Sequence, residues 1–233
     1  MASDLTARVT GALDTVTDPE LDRSVVELGF ARAAVDDAGR ALVELRLPTF
    51  WCAANFAYLM AADARDAVAA VPGIRSVTVR LVDHFVADEV TASVNGGRSF
   101  DEAFPDQTDG RGLEELRRFF WVKAFHARQE VLLQGLLSRG RSDVEVCALR
   151  VGSLDAGDPE TRPYLERRER LGISNAAEAP VAVHPNGQPI AAERLDAYLT
   201  RARMTRVCME ANGSLCGGLH ATRYPTQEEE TTV

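Results

Sequence analysis

The segment ALVELRL at residues 41–47 decides the fold, because every second residue along it is apolar. Glu44 and Arg46 fall on the opposite face, which is the pattern of a strand with one buried side. The preceding residues 24–35 are also β-prone, and they end in the turn-forming sequence DDAG at residues 36–39. The two segments therefore predict a β-hairpin.

Helical patterns flank this hairpin. Apolar residues recur at helical spacing over residues 5–16, and residues 53–70 are an alanine-rich amphipathic segment that ends before Pro72-Gly73. Residues 74–82 then predict another strand. The order α-β-β-α-β predicts an α+β fold, a small domain with an open sheet and helices on one face.

Beyond this domain the sequence predicts a mainly helical C-terminal half. Residues 113–137 have the spacing of a long amphipathic helix, residues 181–190 predict a short hairpin, and residues 191–205 predict another helix. The predicted divisions are an α/β domain at residues 3–82, a linker or a packed extension at 83–110, a mainly helical region of unknown type at 111–225 and a disordered acidic tail at 226–233.

The charge and the apolar pattern of the chain exclude several classes of protein. Its 233 residues include 26 lysines and arginines against 35 aspartates and glutamates, a net charge of −9. This balance disfavours nucleic acid and anionic membranes as partners, and no apolar run approaches the roughly 20 residues of a membrane-spanning helix. The N-terminal residues lack a signal-peptide pattern, so we expect a cytoplasmic protein. Its four cysteines are then buried, reactive or metal-binding thiols.

Cys52 is the cysteine whose position is most informative. It follows the predicted strand and stands at the entry of the second helix, where free N–H groups and the helix dipole favour a thiolate. A thiolate binds metals or acts as a nucleophile, whereas the alternative is a small buried side chain beside Phe50 and Trp51. Asp18 and Glu20 lie in the loop before the first strand, where they either form a turn or bring two carboxylates near Cys52.

Four segments of the first domain carry a family resemblance. They are TDPEL at residues 17–21, SVVELGF at residues 24–30, the cysteine at position 52 and VPGIRSVTV at residues 71–79. In type, order and spacing they resemble the PaaD/SufT-like iron–sulfur cluster assembly family. Members share a DPE element, an S-[IV]-[VI]-x-L-G segment, a cysteine at the start of a helix and a closing strand. The resemblance covers residues 5–82.

The resemblance implies a role in assembling iron–sulfur clusters or in delivering them to recipient proteins. It makes Cys52 the thiolate that transiently binds iron or a cluster, and it makes Asp18 and Glu20 the carboxylates that shape its pocket. One branch of the family serves multicomponent oxygenases, so the implied partner is a client metalloenzyme such as a di-iron monooxygenase subunit. Phe50-Trp51 replaces the small residues that the family has before its cysteine. This bulky pair would exclude water, dock a partner or close the site.

A second candidate metal site lies near the C-terminus. Cys208, Cys216 and His220 fall in a glycine-rich stretch, and thiolates with imidazole suit zinc or iron. The spacing C-x₇-C-x₃-H is not a standard zinc pattern, and Cys147 is one candidate for the fourth ligand. The alternative is an ordinary glycine-rich loop with buried thiols.

The long predicted helix contains one further polar pair, His126 and Glu130. The two residues are four apart and therefore share one helix face. A di-iron carboxylate site would repeat a Glu-x-x-His motif on two helices, and the sequence has no such repeat. We therefore interpret the two residues as an exposed polar pair.

Three functions are consistent with these patterns. The first is an accessory maturation factor, an iron or iron–sulfur metallochaperone for a client metalloenzyme. The second is a metal-free, chaperone-like adaptor that binds the client and helps it fold. The third is an enzyme with Cys52 as its nucleophile, although no histidine lies near it in sequence. A homodimer is an open alternative for the assembly state.

Overall fold

The alternating segment forms the central strand of a three-stranded sheet in the computed structural model, which describes residues 2–225. Side chains are described from residue 4 onward, and the predicted acidic tail at 226–233 lies outside the described residues. The described chain divides into two compact units. One contains the residues up to Glu115 together with those from Asn212 onward, and the other is Leu116–Ala211.

The first unit confirms the predicted α+β order. Its elements are α1 (Ala2–Leu13), β1 (Thr17–Asp18), β2 (Arg23–Ser24), β3 (Ala31–Val35), β4 (Arg40–Arg46), α2 (Ala54–Ala69), β5 (Ser76–Val82), α3 (Ala87–Gly96) and the short α4 (Phe100–Ala103). Strand β3 pairs with β4 in the predicted antiparallel hairpin, and β4 pairs in parallel with β5. Residues 25–29 are turns and not strand, because Leu28 N–H bonds to the Ser24 carbonyl and Gly29 has a φ of 74°.

The alternation along β4 separates a buried face of the sheet from a polar one. Val43 and Leu45 are fully buried, and α2 contacts this strand and β5. On the other face, Glu44 lies between two guanidinium groups, 2.7 Å from Arg46 and 2.6 Å from Arg80. Burial of the apolar face at about 25 cal/mol per Å² is the main force that holds α2 on the sheet.

Residues 83–110 are an extension that packs on the first unit rather than a linker. Helix α3 contacts β5 and α2, and Phe100 and Phe104 belong to the buried core. The Asn95 amide accepts from Val79 N–H at 2.8 Å and donates to the Val79 carbonyl at 2.7 Å. Side chains of α3 therefore satisfy outward backbone groups of β5, which has no strand neighbour on that side within residues 2–225.

The second unit is mainly helical, as predicted. Its helices are α5 (Glu114–Ser138, which begins in the first unit), α6 (Asp143–Ala148), α7 (Thr161–Arg170) and the first part of α8 (Ala192–Arg223). They enclose a separate buried cluster that includes Phe125 and Tyr164. The predicted hairpin at residues 181–190 is present, with an antiparallel bridge between Val183 and Pro189.

Helix α8 corrects two predictions. The sequence predicts a helix only to residue 205 and a glycine-rich loop beyond it, yet the helix continues to Arg223. Each glycine costs a helix about 1 kcal/mol relative to alanine, and packing of residues such as Cys216 against the first core compensates for this cost. The region predicted as one unit at 111–225 is therefore divided, because the residues from Asn212 onward belong to the first unit.

Candidate functional site

Asp18 is a buried carboxyl at the end of β1. Its Oδ1 accepts the N–H groups of Glu20 and Leu21, both at 2.9 Å, so the carboxyl closes the turn that the DPE sequence predicts. The residue is only 7% exposed. Burial raises the pKa of Asp18 from its ordinary value of 3.8 to about 6, although the two backbone bonds oppose this shift.

Cys52 lies in the loop between β4 and α2, directly before the helix N-cap Ala53. Its side chain is half-buried and packs against the first core. The buried His84 donates from Nε2 to the Cys52 carbonyl at 2.8 Å and accepts at Nδ1 from Val86 N–H at 3.4 Å. Because one ring nitrogen donates and the other accepts, the imidazole is neutral, and burial lowers the pKa of His84. His84 thereby fixes the loop that carries the thiol.

The prediction that the helix end favours a Cys52 thiolate is wrong. Burial, followed by the electrostatic effects of Asp18 and Cys216, raises the pKa of the Cys52 thiol to about 12. The N–H of Ala53 lowers this pKa, but burial and the neighbouring acidic groups outweigh it. At neutral pH the group is therefore a thiol.

The last turns of α8 bring residues from near the C-terminus close to Glu20 and to the core around Cys52. Asn212 donates from Nδ2 to Glu20 Oε1 at 3.2 Å, and Cys216 packs against the same core as Cys52. His220 lies with its ring 5.0 Å from that of Phe30. Asn212, Cys216 and His220 are spaced by four residues, so they share one face of the helix, and this face packs on the rest of the first unit.

Together, Asp18, Glu20, Cys52 and Cys216 form what we term the carboxylate–thiol site. Burial and the two carboxyl groups raise the pKa of Cys216 as well. A metal would have to displace both thiol protons, because the thiolate is the ligand form. Within residues 2–225, no three His, Cys, Asp or Glu side chains are already arranged as a metal-ligand set.

The predicted C-terminal set of metal ligands is distributed differently from the expectation. Cys208, Cys216 and His220 stand on one continuous helix and not in a loop that could wrap an ion. Cys208 is exposed and belongs to the second unit, whereas Cys216 and His220 belong to the first. Cys147 packs against the second core. Metal binding by Cys208 and His220 stays a prediction.

Sequence reasoning missed the proximity of Cys216 to Cys52. The two cysteines are far apart in the chain, and the sequence assigned them to separate sites. The available signal was the four-residue spacing of Asn212, Cys216 and His220, which is the spacing of one helix face. The glycines in this stretch concealed that signal by predicting a loop.

An aromatic patch lies next to Cys52. Trp51 is 75% exposed, and the half-exposed rings of Phe50 and Phe85 are in contact, with centroids 6.4 Å apart. The N–H of Phe85 also bonds to the Phe50 carbonyl. Exposed aromatic clusters of this kind are typical of protein-binding surfaces.

The interpretation of His126 and Glu130 as an exposed pair is wrong. Glu130 is 2% exposed and forms an ion pair with Arg206 at 2.7 Å, while His126 Nδ1 lies 2.8 Å from the Tyr198 hydroxyl. Both residues face α8, whose position could not be inferred from α5 alone.

Part of the first unit is similar to known proteins. Residues 6–81 match the family of iron–sulfur cluster assembly proteins. The chain is also 32% identical over 83 residues to an uncharacterized protein of Methanocaldococcus jannaschii, an alignment that covers 35% of this chain and 85% of that protein. No solved structure is significantly similar to it.

The chain therefore belongs to the iron–sulfur cluster assembly protein family, and its general role is in cluster assembly and maturation. The resemblance noted from the DPE, Cys52 and closing-strand motifs is confirmed over this range. Among residues 2–225, no helix combines the length and apolar character needed to cross a membrane.

Proposed function

We propose that this chain is an accessory maturation factor that takes up iron or an iron–sulfur cluster as cargo and delivers it to a client metalloenzyme. The observation that carries the proposal is the convergence of Cys216 on Cys52, Asp18 and Glu20, from opposite ends of the sequence. Thiolates suit iron and iron–sulfur clusters, and carboxylates add hard oxygen ligands for the free ion.

The protonation state of the thiols supports transient rather than permanent binding. If both thiols ligate one Fe²⁺ ion, two protons leave the protein, and the same two protons return when the ion departs. Because burial and the carboxylates raise both thiol pKa values, reprotonation competes strongly with the metal at neutral pH. Weak retention of this kind suits delivery, and retention should increase as the pH rises.

The client that we propose is a subunit of a multicomponent di-iron monooxygenase, as the family resemblance implies. The aromatic patch of Phe50, Trp51 and Phe85 supports docking of the client beside the thiols, because it is exposed and contiguous with Cys52. Contact there would place an acceptor close to the cargo.

Anaerobic reconstitution with Fe²⁺ and sulfide tests the uptake step. We expect the unaltered protein to bind iron in equilibrium dialysis against Fe²⁺, and we expect Cys52→Ser and Cys216→Ser each to lose most of that binding. Cys208→Ser is the matched control, because that thiol is exposed and outside the site. Equal iron in the unaltered protein and in Cys52→Ser would refute uptake at this site. Loss of iron in Cys208→Ser would instead favour the predicted C-terminal ligands.

A metal-free adaptor is the second candidate function, and the exposed aromatic patch favours it. In this case the protein stays free of iron after reconstitution yet still binds the purified oxygenase subunits. We expect Trp51→Ala to weaken that binding and Leu42→Ala, an exposed apolar residue on β4, to leave it unchanged. Iron retention and client binding are measured separately, so the two functions are distinguishable.

A further inference from the structure

The second unit contains a cavity of about 320 Å³ that the iron–sulfur role does not use. Its wall includes two imidazoles, His126 and His184, together with the Tyr198 ring and the guanidinium of Arg201. Pro185 contributes an apolar part of the wall. The described lining includes no carboxylate, so the cavity carries donors and positive charge.

A buried amide fixes the hydrogen-bond directions behind this wall. Gln129 is fully buried, and its Oε1 accepts the Val183 N–H at 3.1 Å while its Nε2 donates to the Val183 carbonyl at 2.8 Å. The fixed donor and acceptor of the backbone exclude the flipped amide. The second hydrogen of Nε2 then points to the Tyr198 hydroxyl at 2.5 Å.

This arrangement sets the tautomer of His126. The Tyr198 hydroxyl accepts from Gln129, and among the described contacts the acceptor for its own hydrogen is His126 Nδ1 at 2.8 Å. Burial lowers the pKa of His126, which favours the neutral ring. A neutral imidazole that accepts at Nδ1 carries its hydrogen on Nε2, so it offers a donor to a ligand. With Nδ1 occupied by the Tyr198 hydroxyl, His126 presents a hydrogen-bond donor and not a lone pair to a ligand in the cavity.

A buried cation adds to the positive potential behind the cavity. Arg168 is fully buried and donates to the Tyr164 hydroxyl at 3.0 Å and to the Pro180 carbonyl at 2.8 Å. Its hydrogen-bond partners in the described chain are neutral oxygens, including the Asn175 amide oxygen. The Tyr164 hydroxyl in turn lies 2.8 Å from Gln129 Oε1, so the guanidinium belongs to the same polar network.

Helix α8 supplies the permanent charge at the cavity mouth. Tyr198, Arg201 and Ala202 lie on one face of the helix, and the Arg201 side chain is exposed. Ala202 and Pro185 give this polar cavity an apolar wall. An inorganic anion has no apolar group that could contact this wall. The matching ligand has one negative charge and a compact apolar body.

We propose that this cavity binds a small organic carboxylate, whose oxygens contact Arg201 and the Nε2–H of His126 and whose apolar body packs against Pro185 and Ala202. The proposal concerns the second unit and does not depend on iron uptake at the carboxylate–thiol site.

Calorimetric titration of the full chain tests the proposal with three probes. We expect benzoate to bind at millimolar concentrations, and we expect benzamide, which has the same shape without the charge, to bind at least about tenfold more weakly. Inorganic phosphate should bind more weakly than benzoate. Equal binding of benzamide, binding of phosphate alone, or no binding of benzoate would each overturn the assignment.

Two variants locate the binding. Arg201→Gln should weaken benzoate by about tenfold or more, whereas Arg194→Gln, an exposed arginine of α8 outside the lining, should not. Tyr198→Phe should weaken benzoate and change the carbon chemical shifts of the His126 ring, because its tautomer is no longer fixed. An unchanged affinity in Arg201→Gln would refute the site, and unchanged ring shifts in Tyr198→Phe would refute the role of His126.

Discussion

The buried Asp18 carboxyl lowers the stability of the folded protein at neutral pH, and Asp18→Asn measures by how much. An asparagine at this position can still accept the N–H groups of Glu20 and Leu21 through Oδ1, so the turn is kept while the charge is removed. The pKa of Asp18 is raised from 3.8 to about 6 by burial. A difference of about two pKa units corresponds to about 3 kcal/mol between the two protonation states.

The sign of the effect follows from the direction of this shift. Well below the ordinary pKa of 3.8, both folded and unfolded chains hold the Asp18 proton and there is no electrostatic cost. As the pH rises, the unfolded chain loses its proton first, so the free energy of unfolding falls until the folded carboxyl also ionises near pH 6. Above that pH the cost is complete and constant. We therefore compare the free energy of unfolding of Asp18→Asn with that of the unaltered protein. Between about pH 4 and neutral pH, this difference should shift in favour of the variant by up to about 3 kcal/mol.

Urea unfolding curves of both proteins across this pH range provide the measurement. Asp37→Asn serves as the control, because that aspartate is exposed in the turn between β3 and β4. Its difference from the unaltered protein should not follow the same curve. The stability difference between Asp18→Asn and the unaltered protein refutes this expectation if it is the same at about pH 4 and pH 7, or if it changes in the opposite direction. Burial would then not determine the pKa of this carboxyl.

Three other changes test the turns, the thiol and the second core. Gly39→Ala should destabilise the protein by more than about 2 kcal/mol, because its φ is +75° and a Cβ would lie 2.5 Å from a backbone oxygen. Gly97→Ala is the comparison: its φ is +70°, but a Cβ there would meet open space, so the cost should be about 1 kcal/mol. Urea unfolding of both variants measures the two costs. Iodoacetamide at neutral pH should modify Cys52 much more slowly than the exposed Cys208, and peptide mass spectrometry measures both rates. Rapid modification of Cys52 would instead support the hypothesis that it is a nucleophile. Gln129→Leu removes four hydrogen bonds to buried groups and should lower the unfolding temperature markedly; a shift of less than about 2 °C would contradict the buried network.

Local patterns predicted the sheet unit well because its signals are short-range. The alternation at residues 41–47 specifies one buried face by itself, and the turn at residues 36–39 specifies an antiparallel partner for that strand. Within the hairpin, the start of β3 was misplaced. The apolar residues 25–30 look β-prone, but a tight turn and the positive φ of Gly29 interrupt the strand.

The carboxylate–thiol site was predicted in part, because half of it depends on distant contacts. Asp18, Glu20 and Cys52 lie in neighbouring loops of one small domain, so family motifs could identify them. Cys216 reaches them only because α8 continues through its glycines, which intrinsic propensity disfavours. The protonation state of Cys52 was also beyond local reasoning, since it depends on burial and on carboxyl groups from another loop.

The contacts of α3 with β5 determine how this sheet can meet other molecules. Asn95 occupies both the donor and the acceptor of Val79, and the Thr91 hydroxyl accepts the next outward N–H, that of Leu81, at 3.1 Å. An exposed strand edge is a template for pairing with another chain, and these side chains remove that template. A client peptide or a second copy would have to displace these side chains before it could continue the sheet at β5. The helix thus protects the molecule from edge-to-edge aggregation on this side and directs any partner to side-chain surfaces instead.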